Sequence, residues 1–160
     1  MLDVAAGGGR HARFLAARGH AVTAVDRDEV ALREVADAAE TVVADLESGP
    51  WPVAGRSFDA VVVANYLWRP LWPSLLAALA PGGVLIYETF ASGNETVGRP
   101  ARPDFLLAPG ELLRAAAGLR IVAYEDGFLN APDRFVQRIV AVRETTAKGL
   151  RRYLLAPAGG

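Results

Sequence analysis

Hydrophobic and polar positions alternate in blocks along this chain, and the blocks switch between two periods. Leu2–Ala6 is a short apolar run that enters Gly7-Gly8-Gly9. Residues 10–18 then read as a helix closed by Gly19, and Val22–Asp26 as a second strand. Asp28-Glu29-Val30-Ala31-Leu32 opens a second helix, with acids in the first turn, where the helix dipole favours them. Thr41–Ala44 is a third strand, and Glu47–Pro52 a loop. Phe58–Ala64 is a nearly unbroken Val/Ala run, the mark of a central parallel strand buried on both faces. Leu71, Leu75, Leu76 and Leu79 fall at helical spacing, and Pro81-Gly82-Gly83 predicts the end of that helix. Val84–Tyr87 is a fifth strand, followed by a long connection over 91–108. Pro109 and Glu111 start a helix that Gly118 closes. Leu119–Tyr124 and Phe135–Arg143, joined by a short link, pair antiparallel.

This alternation predicts an α/β chain with a mostly parallel sheet, helices on both faces and a reversed final strand. Residues 1–143 form a single domain, and 144–160 a C-terminal tail in which Arg151 and Arg152 are a minor patch or simply solvated. Composition narrows the class. At 160 residues, 52% hydrophobic and 22% charged, the chain is globular and long enough for a full core. A net charge of −1 gives no basic field for nucleic acid. There is no cysteine, which excludes disulfides and thiolate metal sites, and no metal-ligand cluster is visible. No apolar run approaches the ~20 residues that span a bilayer, and the start lacks the basic and apolar regions of a signal peptide. A cytoplasmic protein is expected, without membrane or nucleic-acid partner.

The candidate chemistry begins at the first turn. Glycine tolerates positive φ and lets a ligand approach the backbone closely. Asp26, at the carboxyl end of the neighbouring strand, suits a ribose diol. A nucleoside-type cofactor follows, and its identity is the next decision. Gly7-x-Gly9-x-x-Ala12 fits the dinucleotide fingerprint. Asp3, four residues before Gly7, argues against it, because two phosphates would pass nearby. S-adenosylmethionine has no phosphates and carries an ammonium and a sulfonium, which a carboxylate favours. The chain is also too short for the separate substrate domain that dehydrogenases often carry.

Leu2-Asp3-Val4-Ala5-Ala6-Gly7-Gly8-Gly9-Arg10-His11 resembles the first motif of class I S-adenosylmethionine-dependent methyltransferases, and Gly19–Asp26 their second strand with its acid. The resemblance continues through Val43-Ala44-Asp45-Leu46, Phe58–Leu67 and Leu79–Phe90, so it covers roughly residues 2–143. Within that family the chain resembles the small bacterial tellurite-resistance-like methyltransferases (type 11/12). The family implies a Rossmann-like seven-stranded sheet whose last strand is reversed. Ala6 stands where the family often has Cys or Ser. The family usually carries a helix ahead of the first strand, helping to cover the cofactor, whereas this sequence begins inside that strand. A misassigned start at Met1 and a true truncation both fit.

The resemblance implies S-adenosylmethionine as cofactor, held by Asp3, Ala5, Gly7, Gly9, Asp26, Arg27, Asp45, Leu46 and Asn65. Gly7 and Gly9 make room for it, and Asp45 and Leu46 contact adenine; Asp45 read alone is a loop cap. Trp51 is a core plug or part of the adenine wall. Glu88, Tyr66 and His11 are the candidate catalytic residues. Glu88 is the best base, through a buried strand-end position, or an acid that orders the loop; His11 is a cap or touches substrate. Trp68, Arg69, Asn94 and Arg99 are candidate substrate contacts. Asn65-Tyr66 lacks the two prolines of the amino-methyltransferase signature, so base or amide N-methylation is not supported. The expected reaction is direct in-line methyl transfer to a small-molecule acceptor by a monomer or homodimer. An inactive S-adenosylmethionine-binding protein is the alternative, and a nicotinamide-dependent oxidoreductase a weaker one.

Overall fold

The computed structural model describes residues 1–145 and Tyr153. The tail patch at Arg151 and Arg152 lies outside the described residues. Seven strands form one sheet: β1 (Leu2–Val4), β2 (Thr23–Asp26), β3 (Glu40–Val43), β4 (Phe58–Ala64), β5 (Leu79–Phe90), β6 (Arg120–Asn130) and β7 (Asp133–Val142). Their order is β3-β2-β1-β4-β5-β7-β6. Strands β1 to β5 run parallel, while β7 is antiparallel to both β5 and β6. The strand order reverses at β1, and in such sheets that crevice receives the ligand.

Side-chain alternation sends successive residues to opposite faces. Leu2 and Val4 of β1, with Val25, Val61, Val63, Leu85, Tyr87 and Ile139, build the larger core beneath α3 (Trp72–Ala77) and α4 (Glu111–Ala115). Ala24, with Ala12, Val22, Leu32 and Val35, builds a smaller cluster beneath α1 (Arg10–Ala16) and α2 (Glu29–Arg33). Helices therefore cover both faces, as the apolar pattern predicts. The α1/α2 face is open over β5, where Ile86 is 41% exposed. Among the described residues no helix is long and apolar enough to cross a membrane.

Three expectations about elements are corrected. Leu79 does not continue the helix of Leu71 and Leu75: α3 ends at Ala77, and Leu79 already pairs with Phe58 as the first residue of β5. The Pro81-Gly82-Gly83 segment is an excursion within β5, since the register jumps from Phe58↔Leu79 to Ala60↔Val84. A Cβ on Gly83 would stand 2.8 Å from the Ala80 carbonyl oxygen and 2.9 Å from that of Phe58, so only glycine fits this fold-back. Pro109 precedes α4, whose N-cap is Gly110 at φ 67°. The final hairpin is longer than its hydrophobic pattern, with only residues 131 and 132 between β6 and β7, because the distal half of β6 is paired backbone with mostly exposed side chains.

Candidate functional site

The turn after β1 is built by positive φ at Ala5 (54°), Gly7 (52°) and Gly9 (71°). For alanine this conformation costs roughly 1–2 kcal/mol, strain that folded structures keep at sites over-determined by their surroundings. Asp26 fastens the turn to the end of β2. Its carboxylate accepts from the Gly7 N–H at 2.8 Å and from the Asp28 N–H at 2.9 Å. Asp3 points the other way, under α1, where it accepts from the Ala12 N–H at 3.0 Å and is 1% exposed. Burial pushes its pKa up to about 6 against the stabilising Ala12 hydrogen bond, and the Asp26 charge adds to the rise. The glycines have separate tasks. A Cβ on Gly7 would meet open space, whereas one on Gly9 would lie 2.5 Å from the Val35 Cβ. Gly9 therefore serves the packing of α1 on α2, which corrects the expectation that it makes room for a cofactor.

Outside the carboxyl ends of β1, β2 and β3 lies a cavity of about 180 Å³, walled by Ala5, Asp26, Arg27, Asp45, Leu46 and Tyr66. Asp45 both lines it and caps its loop, accepting from the Glu47 N–H at 2.9 Å and from the Ser48 hydroxyl at 2.7 Å. The Ser48 hydrogen bond holds its carboxyl below the usual range. Tyr66 and Glu47 also border a second cavity of about 290 Å³, at the ends of β4 and β5, whose wall includes Asn65, Leu67, Thr89 and Phe90. Asn65 thus faces the second cavity and is not among the residues lining the first. Its φ of 55° turns the chain out of β4. The Tyr66 carbonyl accepts from the Tyr87 hydroxyl at 2.7 Å, and the Tyr87 ring stacks on Trp72 at 4.7 Å, so the backbone between the cavities is pinned. The Tyr66 hydroxyl is buried without a hydrogen-bond partner among the described residues, and burial pushes its pKa to about 12.

The structure separates the other candidates. Glu88 is not an acid in an apolar site. Its oxygens face Arg138 at 2.6 Å and Arg134 at 3.5 Å, and Arg138 also reaches Glu125 at 3.1 Å. This corrects the expectation of a free base: Glu88 ties β5 to β7. His11 contacts Arg10 at 3.3 Å; burial and then the Arg10 charge lower its pKa, against a pull from Glu88. Asn94 is 1% exposed and donates to the Pro100 carbonyl at 2.9 Å while accepting from the Phe135 N–H at 3.2 Å. It folds the 91–108 connection and has no surface for a substrate. Arg69 is likewise structural: it grips Glu111 at 2.6 and 3.0 Å and donates to the carbonyls of Asp104 and Leu106. Arg99 is exposed, and the loop instead presents Pro100 and Phe105 to the second cavity. Trp51 and Trp68, both partly buried, pack against the larger core, and neither lines the two cavities.

Arg69→Ala should remove a staple between the β4–α3 link, the loop and α4. The expected loss is about 1–2 kcal/mol of stability, since the group is partly exposed. The 91–108 loop should be cleaved faster in limited proteolysis, and an unchanged cleavage rate would show that the staple carries no load.

Residues 1–83, just over half of the chain, match the family model described as a methyltransferase domain. The chain belongs to this family. The methyltransferase domain's sheet also recurs in solved structures. TehB from Haemophilus influenzae superposes with a TM-score of 0.74 at 15% identity, over 89% of this chain and 57% of that one. This domain therefore spans less than two thirds of the length of TehB. A SAM-dependent methyltransferase from Methanosarcina mazei gives a TM-score of 0.71 at 18% identity, covering 89% of this chain and 91% of that chain. The glycopeptide N-methyltransferase MtfA, solved with S-adenosylmethionine, gives 0.61 at 21%, covering 88% and 85%. No curated protein matches the chain.

Proposed function

We propose that this domain transfers a methyl group from S-adenosylmethionine to a small-molecule acceptor by direct in-line displacement. One observation carries the reading: two cavities meet at Tyr66 above the sheet's switch point, and the first has an acid, Asp26, tied by hydrogen bond to the glycine turn. The residues present fit the cofactor. Asp26 offers carboxylate lone pairs to a diol, Leu46 an apolar wall to adenine, and Gly7 open space. The Tyr66 hydroxyl, buried and without a hydrogen-bond partner among the described residues, can bond a polar group of the ligand.

Bound there, S-adenosylmethionine supplies a methyl already activated by the sulfonium. Asp26, Leu46 and the Gly7 turn would hold the cofactor, and a proton released by the acceptor would pass to solvent. The chain's task is then alignment and exclusion of water, which together can lower a barrier by several kcal/mol. No strong base is supplied by the side chains near the junction. Tyr66 stays protonated at neutral pH, burial and the Arg10 charge weaken His11 as a base, and Glu88 is engaged by two guanidinium groups.

Calorimetric titration with S-adenosylhomocysteine, with NADH in parallel, tests the reading. Micromolar binding of the first and none of the second is expected. Asp26→Ala should weaken that binding about ten- to a hundredfold, because charge-assisted hydrogen bonds are the strong ones. Equal affinity of wild type and variant would remove Asp26 from the site, and binding of NADH alone would overturn the function.

A further inference from the structure

We infer that the second cavity receives a neutral, apolar molecule of one or two fused rings that carries no anionic group, and that Glu47 enforces the exclusion of anions. The inference rests on the methyltransferase reading above and names the acceptor class for that same site. Size sets the first bound. At about 290 Å³ the cavity lies at the lower end of small-molecule sites, which run from about 300 to 1,000 Å³. Its walls set the second. Leu67, Phe90, Pro100 and Phe105 are apolar, and the Tyr66 ring closes the side shared with the first cavity. Asn65 and Thr89 supply the neutral polar groups that fix an orientation.

Charge sets the third bound. Among the residues lining this cavity Glu47 is the one charged group, and it is an acid. Three nearby cations are committed elsewhere, and Arg27 and Arg99 lie outside this lining, Arg27 on the first cavity and Arg99 on the exposed loop. Arg102 pairs with Asp104 at 2.9 Å, Arg69 with Glu111 at 2.6 Å and Arg138 with Glu88 at 2.6 Å. At Tyr66, where burial is the main cause of the raised phenol pKa, Glu47, Asp45 and Asp26 add to the rise and Arg27 opposes it. A carboxylate or phosphate entering here would meet like charge and no cation in the lining, a cost that grows as water is displaced.

The test uses the intact chain saturated with S-adenosylhomocysteine, titrated calorimetrically with indole and with indole-3-acetate, which share one ring system and differ in charge. Indole should bind and indole-3-acetate should bind at least about tenfold more weakly. Glu47→Gln should narrow that gap to about threefold or less, since it removes the charge and keeps the shape. Phe105→Ala, on an exposed turn, should weaken indole about fivefold or more while S-adenosylhomocysteine binding stays unchanged, which also shows that the variant folds. Binding of S-adenosylhomocysteine without indole, or indole-3-acetate binding as tightly as indole, would overturn the inference and leave the methyltransferase reading intact. Failure of S-adenosylhomocysteine to bind would overturn both.

Discussion

Asp3→Asn should make the ligand-free domain more stable at pH 8 by about 1–2 kcal/mol and leave its stability at pH 4 nearly unchanged. The Asp3 carboxyl is 1% exposed, and burial raises its pKa to about 6 from an ordinary value of 3.8. Between these values the folded chain holds a proton that the unfolded chain has released. Stability from this group is therefore fully present below pH 3.8 and is lost as pH rises through 6. The whole window amounts to about 3 kcal/mol, at 1.36 kcal/mol per pH unit. Asparagine keeps the acceptor for the Ala12 N–H and removes the buried charge, but its own amide hydrogens need partners, so only part of the window is recovered. Because Asp3 lies under α1 and lines neither cavity, the same substitution should change S-adenosylhomocysteine affinity at pH 8 less than Asp26→Ala does. Thermal melts from pH 4 to 8 with and without S-adenosylhomocysteine check both halves. A wild-type stability that rises through this window relative to the variant would show that Asp3 is ionised at no cost in the fold.

An acid kept at a net cost to the empty fold is legible in sequence only as a break in pattern. Asp3 interrupts an otherwise apolar strand, and that interruption separated the methyltransferase reading from a dinucleotide one. The sheet was legible for a related reason: β4 is buried on both faces, so its Val/Ala run needs no partner information to be read. Asp26 and the Asp45-Leu46 pair were legible because strand-end positions in a parallel sheet fall on one edge. What the sequence hid depends on contacts distant along the chain. Glu88 looks like a base until the β5–β7 register sets it opposite Arg138. Asn94 looks like a loop donor until Phe135, on β7, takes its oxygen. Leu79 keeps helical spacing by coincidence, since the first residue of β5 must also be buried. The second cavity joins Phe90, Pro100 and Phe105 to Leu67, and no single segment shows that wall; the nearest signal was the apolar residues in an otherwise polar loop.

Gly7 and Gly9 are two residues apart and occupy the same backbone region, yet alanine at each should fail differently. Gly9→Ala should destabilise the fold by about 2–4 kcal/mol, combining the cost of a left-handed alanine with overpacking of a closed cluster. Its Cβ would lie 2.5, 2.6 and 2.8 Å from three atoms of Val35, which is 0% exposed and cannot withdraw into solvent. Val35→Ala in the same chain should recover only part of the loss. It removes the two methyl groups but keeps the Cβ at 2.5 Å, so α2 must still shift away from α1. Gly7→Ala should cost only the conformational part, about 1–2 kcal/mol, because the new methyl points into open space. That space is where a cofactor would lie against the turn, so Gly7→Ala should fold and lose S-adenosylhomocysteine affinity. Chemical denaturation of the two single variants and the Gly9/Val35 pair, followed by calorimetry on those that fold, distinguishes the roles. Equal stability of the two glycine variants would mean that conformation alone selects both residues and that the close approach of α1 to α2 is not what holds Gly9 in place.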